Sequence, residues 1–387
     1  MPFTLHGDLV GINWMARGLV YQGYLPVERT VDRMAYPPLV FFTAFFFQVV
    51  FKPVMPLFGQ WWDWTLPWFS GPHLFRYLFL LKSYYLIFDL GIAFLLLRLI
   101  VDNQKRLLAF KLWMINPVVI LTCYMHGQYD IVPTFFVALS LYYVAVEKPA
   151  RSLLSLGIGA AFKHFSFFFL IPALTLLGKS KVAKIKLLLY GVVPYVLLMY
   201  PYWRSPVFRE VATTAGGYDQ RILNFYFDLG SFDKVYVFII GYTIILAFTY
   251  FRHQIRDTRE VFKTLWRVEL IILLWLYSTI LFHPQWFVWV TPLLILLCVE
   301  DRKVGTLYWL QIICVFIYTF YWARYLLDLF APVDPVFFAH LKDPFETINR
   351  YYSAPKFIAI FRSIFSGICL WMIYLTLREF FSIKKRS

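Results

Sequence analysis

The chain has 387 residues, 60% of them hydrophobic and 15% charged, with a mean hydropathy of +0.64 and a formal net charge of +15. A soluble domain of this length has no interior large enough for so much apolar side chain, so the composition excludes one. Long unbroken apolar runs such as 85–97 and 271–281 exclude a β-barrel, whose segments are short and alternate, and leave an all-α, polytopic transmembrane helical bundle.

In chain order, Met1 begins directly in a polar loop, so a first helix is expected ahead of it. Residues 1–76 read as an outer-face loop with interfacial helices, and 77–387 as the bundle of a single domain. Residues 9–23 are interrupted by Asn13, Arg17 and Gln22, which predicts an amphipathic helix lying in the interface with Trp14 and Tyr21 at that depth. Pro37-Pro38 open a second helix at its tolerated first turn. Its apolar run 39–51 is short for a crossing, and a shallow outer helix is expected, followed by a Trp-, Pro- and Gly-rich loop at 59–73.

Spans are expected near 77–97, 107–125, 131–146, 185–203, 235–251, 268–282, 284–299, 305–325 and 357–381, for about 9–11 in all. The stretch 152–177, with Lys163 at its middle, reads as two half-helices that dip and return. Outer loops at 204–234 (with Gly216-Gly217) and 328–356 complete the path. One set of connections is plainly basic: Arg98/Lys105/Arg106, Lys148/Arg151, Lys179 to Lys186, Arg252/Arg256/Arg259/Lys263, Arg302/Lys303 and the tail Lys384/Lys385/Arg386. The positive-inside rule makes that side cytoplasmic, explains most of the net charge, and removes the reason to expect nucleic acid as a partner. Cys123, Cys298, Cys314 and Cys369 sit in apolar runs with neither metal nor disulfide spacing, which suits packing.

Four short polar motifs then fall on the opposite, extracytoplasmic side: HGD (His6–Asp8), HGQYD (His126–Asp130), Lys163-His164 and HPQ (His283–Gln285). In a chain this apolar, ionisable residues gathered at helix ends are functional candidates. Asp8 can accept the proton of an attacking sugar hydroxyl, or serve as an ordinary loop or N-cap aspartate. Lys163 can hold a phosphate as a point charge, or snorkel without a ligand. Gln128 and Asp130 suit hydroxyls or a cation and Gly127 permits close backbone approach, though a plain turn with Asp130 capping 131–146 stays open. His283 can orient sugar or phosphate or cap a helix end, and Arg204 and Arg209 beyond a helix end can grip phosphate. His164 reads as a packing or hydrogen-bonding neighbour. Lys82 and Asp89, well inside a span, read as a buried polar feature paired with neighbours. No metal-ligand spacing, Gly-rich phosphate loop or nucleophile elbow appears. No cofactor is assigned, and a divalent cation shared by Asp8 and Asp130 stays open.

The order of these features resembles the GT-C superfamily of membrane glycosyltransferases, nearest to bacterial and archaeal mannosyltransferases related to the GPI mannosyltransferases. The resemblance rests on Asp8 ahead of an interfacial helix, YPPL at Tyr36–Leu39, Asn116-Pro117 followed by GQYD, the small-residue helix leading to Lys163 and Pro172, and HPQWF. It implies a GT-C-like fold and an inverting transfer of a hexose, mannose first, from a polyprenyl-phosphate donor to a glycan, lipid or protein acceptor. The membrane would be a prokaryotic plasma membrane or the endoplasmic reticulum, with the site on its outer face. Asp8 would be the base; Lys163, with Arg204 and Arg209, would hold the donor phosphate. His6, Tyr36, His126, Gln128, Asp130, His283 and Gln285 would line the sugar or acceptor. The rivals are a transporter or flippase of a lipid-linked sugar, which predicts polar groups at mid-depth and repeated halves, and a GT-C-fold scaffold without activity.

Overall fold

A computed structural model describes residues 1–23, 36–55, 73–206, 208–209, 218–255, 257–322 and 324–382. The Trp-rich loop at 59–72, Gly216-Gly217, Arg256 and the basic tail Lys384, Lys385 and Arg386 lie outside these. Helix α1 (Gly7–Arg17) starts at His6, whose Nδ1 accepts the Asp8 backbone N–H at 3.1 Å, and runs on through a wider turn at Gly18–Gln22. Helix α2 (Pro38–Phe51) opens on proline, where no N–H is needed, and stops at Lys52-Pro53. Helices α3 (Leu74–Ser83) and α4 (Tyr85–Leu99) make one apolar rod broken only at Tyr84. Helix α5 (Asn103–Met114) begins at the Asp102 cap and continues beyond Asn116-Pro117 as far as His126. At that joint the Asn116 side-chain oxygen Oδ1 accepts the Val118 and Val119 N–H groups left open at the new helix start.

Helices α6 (Ile131–Ala145) and α7 (Pro149–Phe162) follow, then a 3-10 turn (His164–Phe169), α8 (Leu170–Leu177) and α9 (Lys181–Met199). After an antiparallel hairpin of β1 (Tyr226–Gly230) and β2 (Asp233–Tyr236) come α10 (Val237–Phe251) and α11 (Thr258–Thr279). A 3-10 turn (Pro284–Trp289), α12 (Thr291–Glu300), α13 (Val304–Tyr318) and α14 (Ala354–Ser382) close the bundle. The half-helix pair is present as expected. Helix α7 ends at Phe162, Lys163 is extended (φ −157°, ψ 126°), and the 3-10 turn and α8 fold back against α7.

Among the described residues, five stretches are long and apolar enough to cross a membrane: Leu74–Leu99, Asn103–His126, Lys181–Tyr202, Val304–Trp322 and Ala354–Phe380. That is fewer than the sequence suggested, and the reason is length: the other apolar helices are shorter. Helix α12 has only 10 residues, with Thr291–Val299 wholly buried among other helices. The expected span 268–282 is the apolar half of α11, whose other half carries Arg259, Glu260, Lys263 and Arg267. Helices α6 and α10 have 15 residues each, about 22 Å, short of a hydrocarbon core of about 30 Å.

Two further expectations change. Helix α1 is not a bare interfacial helix, because Leu9 to Asn13, Met15 and Ala16 are all buried. Its interrupting Asn13 marks no wet face: the Gln48 amide of α2 donates to the Asn13 backbone and side-chain oxygens at 2.8 and 3.1 Å. The segment 204–234, expected as plain loop, carries most of a short hairpin turned through Gly230 and Ser231 at positive φ, while the chain as a whole is all-α.

The bundle separates its ends. The basic connections meet at one of them, where Arg98, Asp102, Lys105, Arg259, Lys263 and Glu300 line one cavity and Glu147, Lys179 and Ile255 the next. The polar motifs converge at the other. Between the ends, α7 and α9 touch backbone to backbone, as small residues allow between membrane helices. A Cβ on Gly157 would run into the carbonyl oxygen of Gly191. Gly157→Ala is therefore expected to destabilise by about 1–3 kcal/mol, the usual cost of overpacking. The thermal midpoint of the purified chain should fall accordingly, whereas Gly305→Ala, where a Cβ meets nothing within 4 Å, should not lower it.

Candidate active site

The first turn of α1 delivers Asp8 to the end of the α5 rod. There the Gln128 amide donates to Asp8 Oδ2, and His126 Nε2 lies 3.3 Å from the same oxygen. His6 Nδ1 is 3.5 Å from it, and the His6 and His126 rings are only 3.6 Å apart between centroids. Burial opposes charge on Asp8, yet its hydrogen bond with His126 and the positive charge around it, including Lys163, hold the carboxyl well below the usual range. It is a carboxylate at neutral pH. Burial lowers His6 from its ordinary value against the pull of Asp8, so that ring stays neutral. Asp8 keeps 30% of its side-chain surface exposed, and a hydroxyl from outside can reach it.

Tyr36, just ahead of α2, packs edge-on to Tyr129 at 5.2 Å between centroids, and its hydroxyl meets Asp8 and Gln128. Burial and the nearby carboxylates raise that phenol well above its ordinary value, so it acts as a neutral donor.

Lys82 sets this arrangement. Its ammonium, fully buried in α3, donates to the carbonyls of Met1 (3.1 Å), Thr4 (2.5 Å), Tyr124 (3.2 Å) and Met125 (3.0 Å) and to the Thr4 hydroxyl (2.9 Å). One charge thus ties the segment before HGD to the segment before HGQYD. Gly127 completes the joint at φ +78°, where a Cβ would press on Lys82 and Leu9, and its carbonyl accepts the Tyr85 hydroxyl at 3.0 Å. Asp89 is engaged separately, by Trp113 Nε1 at 2.6 Å and by the Tyr124 hydroxyl. The two buried charges of this rod are paired with neighbours, as expected.

A second knot lies beside the first. Asp130 does not cap α6: its Oδ1 accepts from Lys163 Nζ at 2.6 Å and from Trp289 Nε1 at 2.5 Å. Burial raises the Asp130 carboxyl, and Lys163 and Trp289 offset that. The Lys163 ammonium sits over the rings of Tyr129, Trp286 and Trp289 at 5.1, 5.7 and 5.1 Å. The Lys163 charge is thus met within the protein by Asp130, a partner that the sequence reading did not name. Asp130 holds Lys163 through Oδ1, and its Oδ2 is buried without a partner among the described residues.

Arg221, which the sequence did not single out, enters here. It contacts His283 Nε2 at 2.9 Å and lies over the Trp286 ring at 5.0 Å. Burial, Arg221 and Lys163 bring His283 down to about 4 from its ordinary value, leaving it neutral. Gln285 is buried in the same 3-10 turn. Arg204 and Arg209 are exposed near the end of α9. His164 meets the Tyr195 hydroxyl at 2.9 Å, the neighbourly role expected. Trp286, Trp289 and Tyr129 were legible only as apolar residues, since ring-on-charge contacts leave no spacing in a sequence.

Lys163→Met is expected to cost about 3–5 kcal/mol, because it strands the Asp130 carboxylate in a buried site. The double variant Lys163→Met/Asp130→Asn should recover most of that loss, as a thermal double-mutant cycle would record. No protein-family model matches this sequence and no curated protein matches it, so the GT-C resemblance rests on the motifs themselves.

Proposed function

We propose that the chain is an inverting membrane glycosyltransferase. It moves a hexose, mannose by resemblance, from a polyprenyl-phosphate carrier to a hydroxyl of a glycan, lipid or protein. The observation that carries this reading is an ionised, part-exposed Asp8 beside Lys163, Arg221 and a frame of indole rings, all at the end of the bundle opposite the basic connections. That placement favours the extracytoplasmic face of a plasma or endoplasmic-reticulum membrane.

In the proposed step the acceptor oxygen bonds to C1 of the sugar and its proton passes to Asp8. The C1–O bond to the lipid phosphate breaks, and its electron pair stays on the phosphate oxygen. Arg221 supplies the positive charge on which that phosphate gathers, because Lys163 is already bound to Asp130. An apolar groove of about 930 Å³, lined by Leu281, Tyr318, Ile358 and Leu370, begins two residues from His283 and fits the carrier chain.

The test is transfer from labelled polyprenyl-phosphate mannose and glucose in liposomes with candidate acceptor lipids. Asp8→Asn is expected to lower the turnover by about 10²–10⁴-fold with donor binding retained. An Asp8→Asn variant that transfers as fast as the parent would move the base elsewhere.

A further inference from the structure

We propose that His6 Nδ1, His126 Nε2 and an Asp8 carboxylate oxygen, with the Gln128 amide oxygen as fourth donor, bind one divalent metal ion of the zinc type. The use of such an ion in sugar transfer rests on the function proposed above, whereas its binding does not.

Three observations carry the site. First, the donor atoms of His6, Asp8 and His126 all lie within 4.8 Å of one another, with 3.3 and 3.5 Å from the Asp8 oxygen to the two ring nitrogens. A tetrahedron with metal–ligand bonds of about 2.0–2.1 Å has edges of about 3.3–3.4 Å, so little movement is needed to close on an ion.

Second, His6 Nδ1 accepts the Asp8 backbone N–H at 3.1 Å and so carries a lone pair instead of a proton. That nitrogen lies 3.5 Å from a carboxylate oxygen, and an ion would take its lone pair in place of the Asp8 N–H. Two electron-rich atoms held in this way repel each other, and a cation between them reverses the sign of the interaction.

Third, Gln128 is 1% exposed and its Oε1 is buried with no hydrogen-bond partner among the described residues, while its Nε2 lies 3.4 Å from His126 Nε2. The two ends of an amide have the same shape and are distinguished only by their partners. Turning the amide over puts the orphaned oxygen 3.4 Å from His126 Nε2, at another tetrahedral edge. Against Asp8 that orientation is repulsive unless a cation sits among them. Two imidazoles with oxygen donors suit zinc or its first-row neighbours better than magnesium or calcium. The exposed side of Asp8 is where a substrate oxygen would approach as a fifth ligand.

The full chain, purified in detergent and stripped with a chelator, is titrated with Co²⁺ alone and read by its visible absorption, followed by displacement with Zn²⁺. One equivalent of Co²⁺ is expected, with the intense bands of a four-coordinate site. Asp8→Asn, which keeps the side-chain shape, and His126→Gln should each weaken binding by more than about 100-fold, beyond what the loss of a supporting residue costs. His253→Ala, on a histidine held by Tyr250 near the basic end, should keep the full equivalent. Circular dichroism identifies any variant that fails to fold, in which case the remaining variant decides. Absence of a stoichiometric Co²⁺ site, or equal affinity in a folded Asp8→Asn, overturns the proposal. A metal site without sugar transfer would remove the transferase reading and leave this one standing; transfer without a metal site would do the reverse.

Discussion

The arrangement at the polar end depends on one buried ammonium. Among the described residues no carboxylate meets Lys82; five oxygens from two separate stretches, 1–4 and 124–125, surround it instead. An unsolvated charge in an apolar rod is costly, so each of those oxygens is held where the lysine needs it. The consequence is positional. Thr4 is fixed two residues ahead of His6, and Met125 is the residue before His126, so satisfying Lys82 brings two distant motifs into contact. The imidazole pair and its shared carboxylate follow from that constraint together with the left-handed turn at Gly127.

The Asp130–Lys163 pair does the same for the later half of the chain. Lys163 interrupts two half-helices at the point where the backbone is extended, and its charge is met by a carboxylate from the turn before α6. The Trp289 indole reaches that carboxylate as well, which ties in the turn that follows α11. Two buried charge centres, one satisfied by carbonyls and one by a carboxylate and rings, therefore locate three loops relative to each other. Ordinary apolar packing in lipid could not do this, since lipid chains are as apolar as leucine and offer little preference between helix registers.

Much of this was legible in the sequence, and the failures share a cause. Apolar runs predicted helices, prolines and Asn116 marked their starts, and the isolated polarity of HGD, HGQYD, Lys163 and HPQ identified the residues that converge. What spacing cannot give is the identity of a partner across the fold. Asn13 looked like a wet face because its partner Gln48 lies 35 residues away, and Lys163 looked unpaired because Asp130 lies 33 residues before it. Arg221 was invisible for the same reason, as one arginine in a polar loop. The run 284–299 read as one long helix because apolar sequence does not record where a 3-10 turn ends and the helix α12 begins.

The basicity of Asp8 links the two proposals. The groups that keep it ionised, the Gln128 amide and the surrounding positive charge, also make it a poor proton acceptor for an alcohol. A weak base can serve only if the proton moves late, once bonding to the anomeric carbon has made the acceptor oxygen acidic. Departure of the phosphate ahead of that bond, with an oxocarbenium-like sugar between, meets this requirement. A metal ion held by His6, Asp8 and His126 meets it differently, by acidifying a bound hydroxyl before attack. In the first case Gln128 must keep its N–H on Asp8; in the second it must turn its oxygen inward. The orientation of that one amide thus separates a carboxylate that takes a proton from a carboxylate that holds an ion, within the same set of residues.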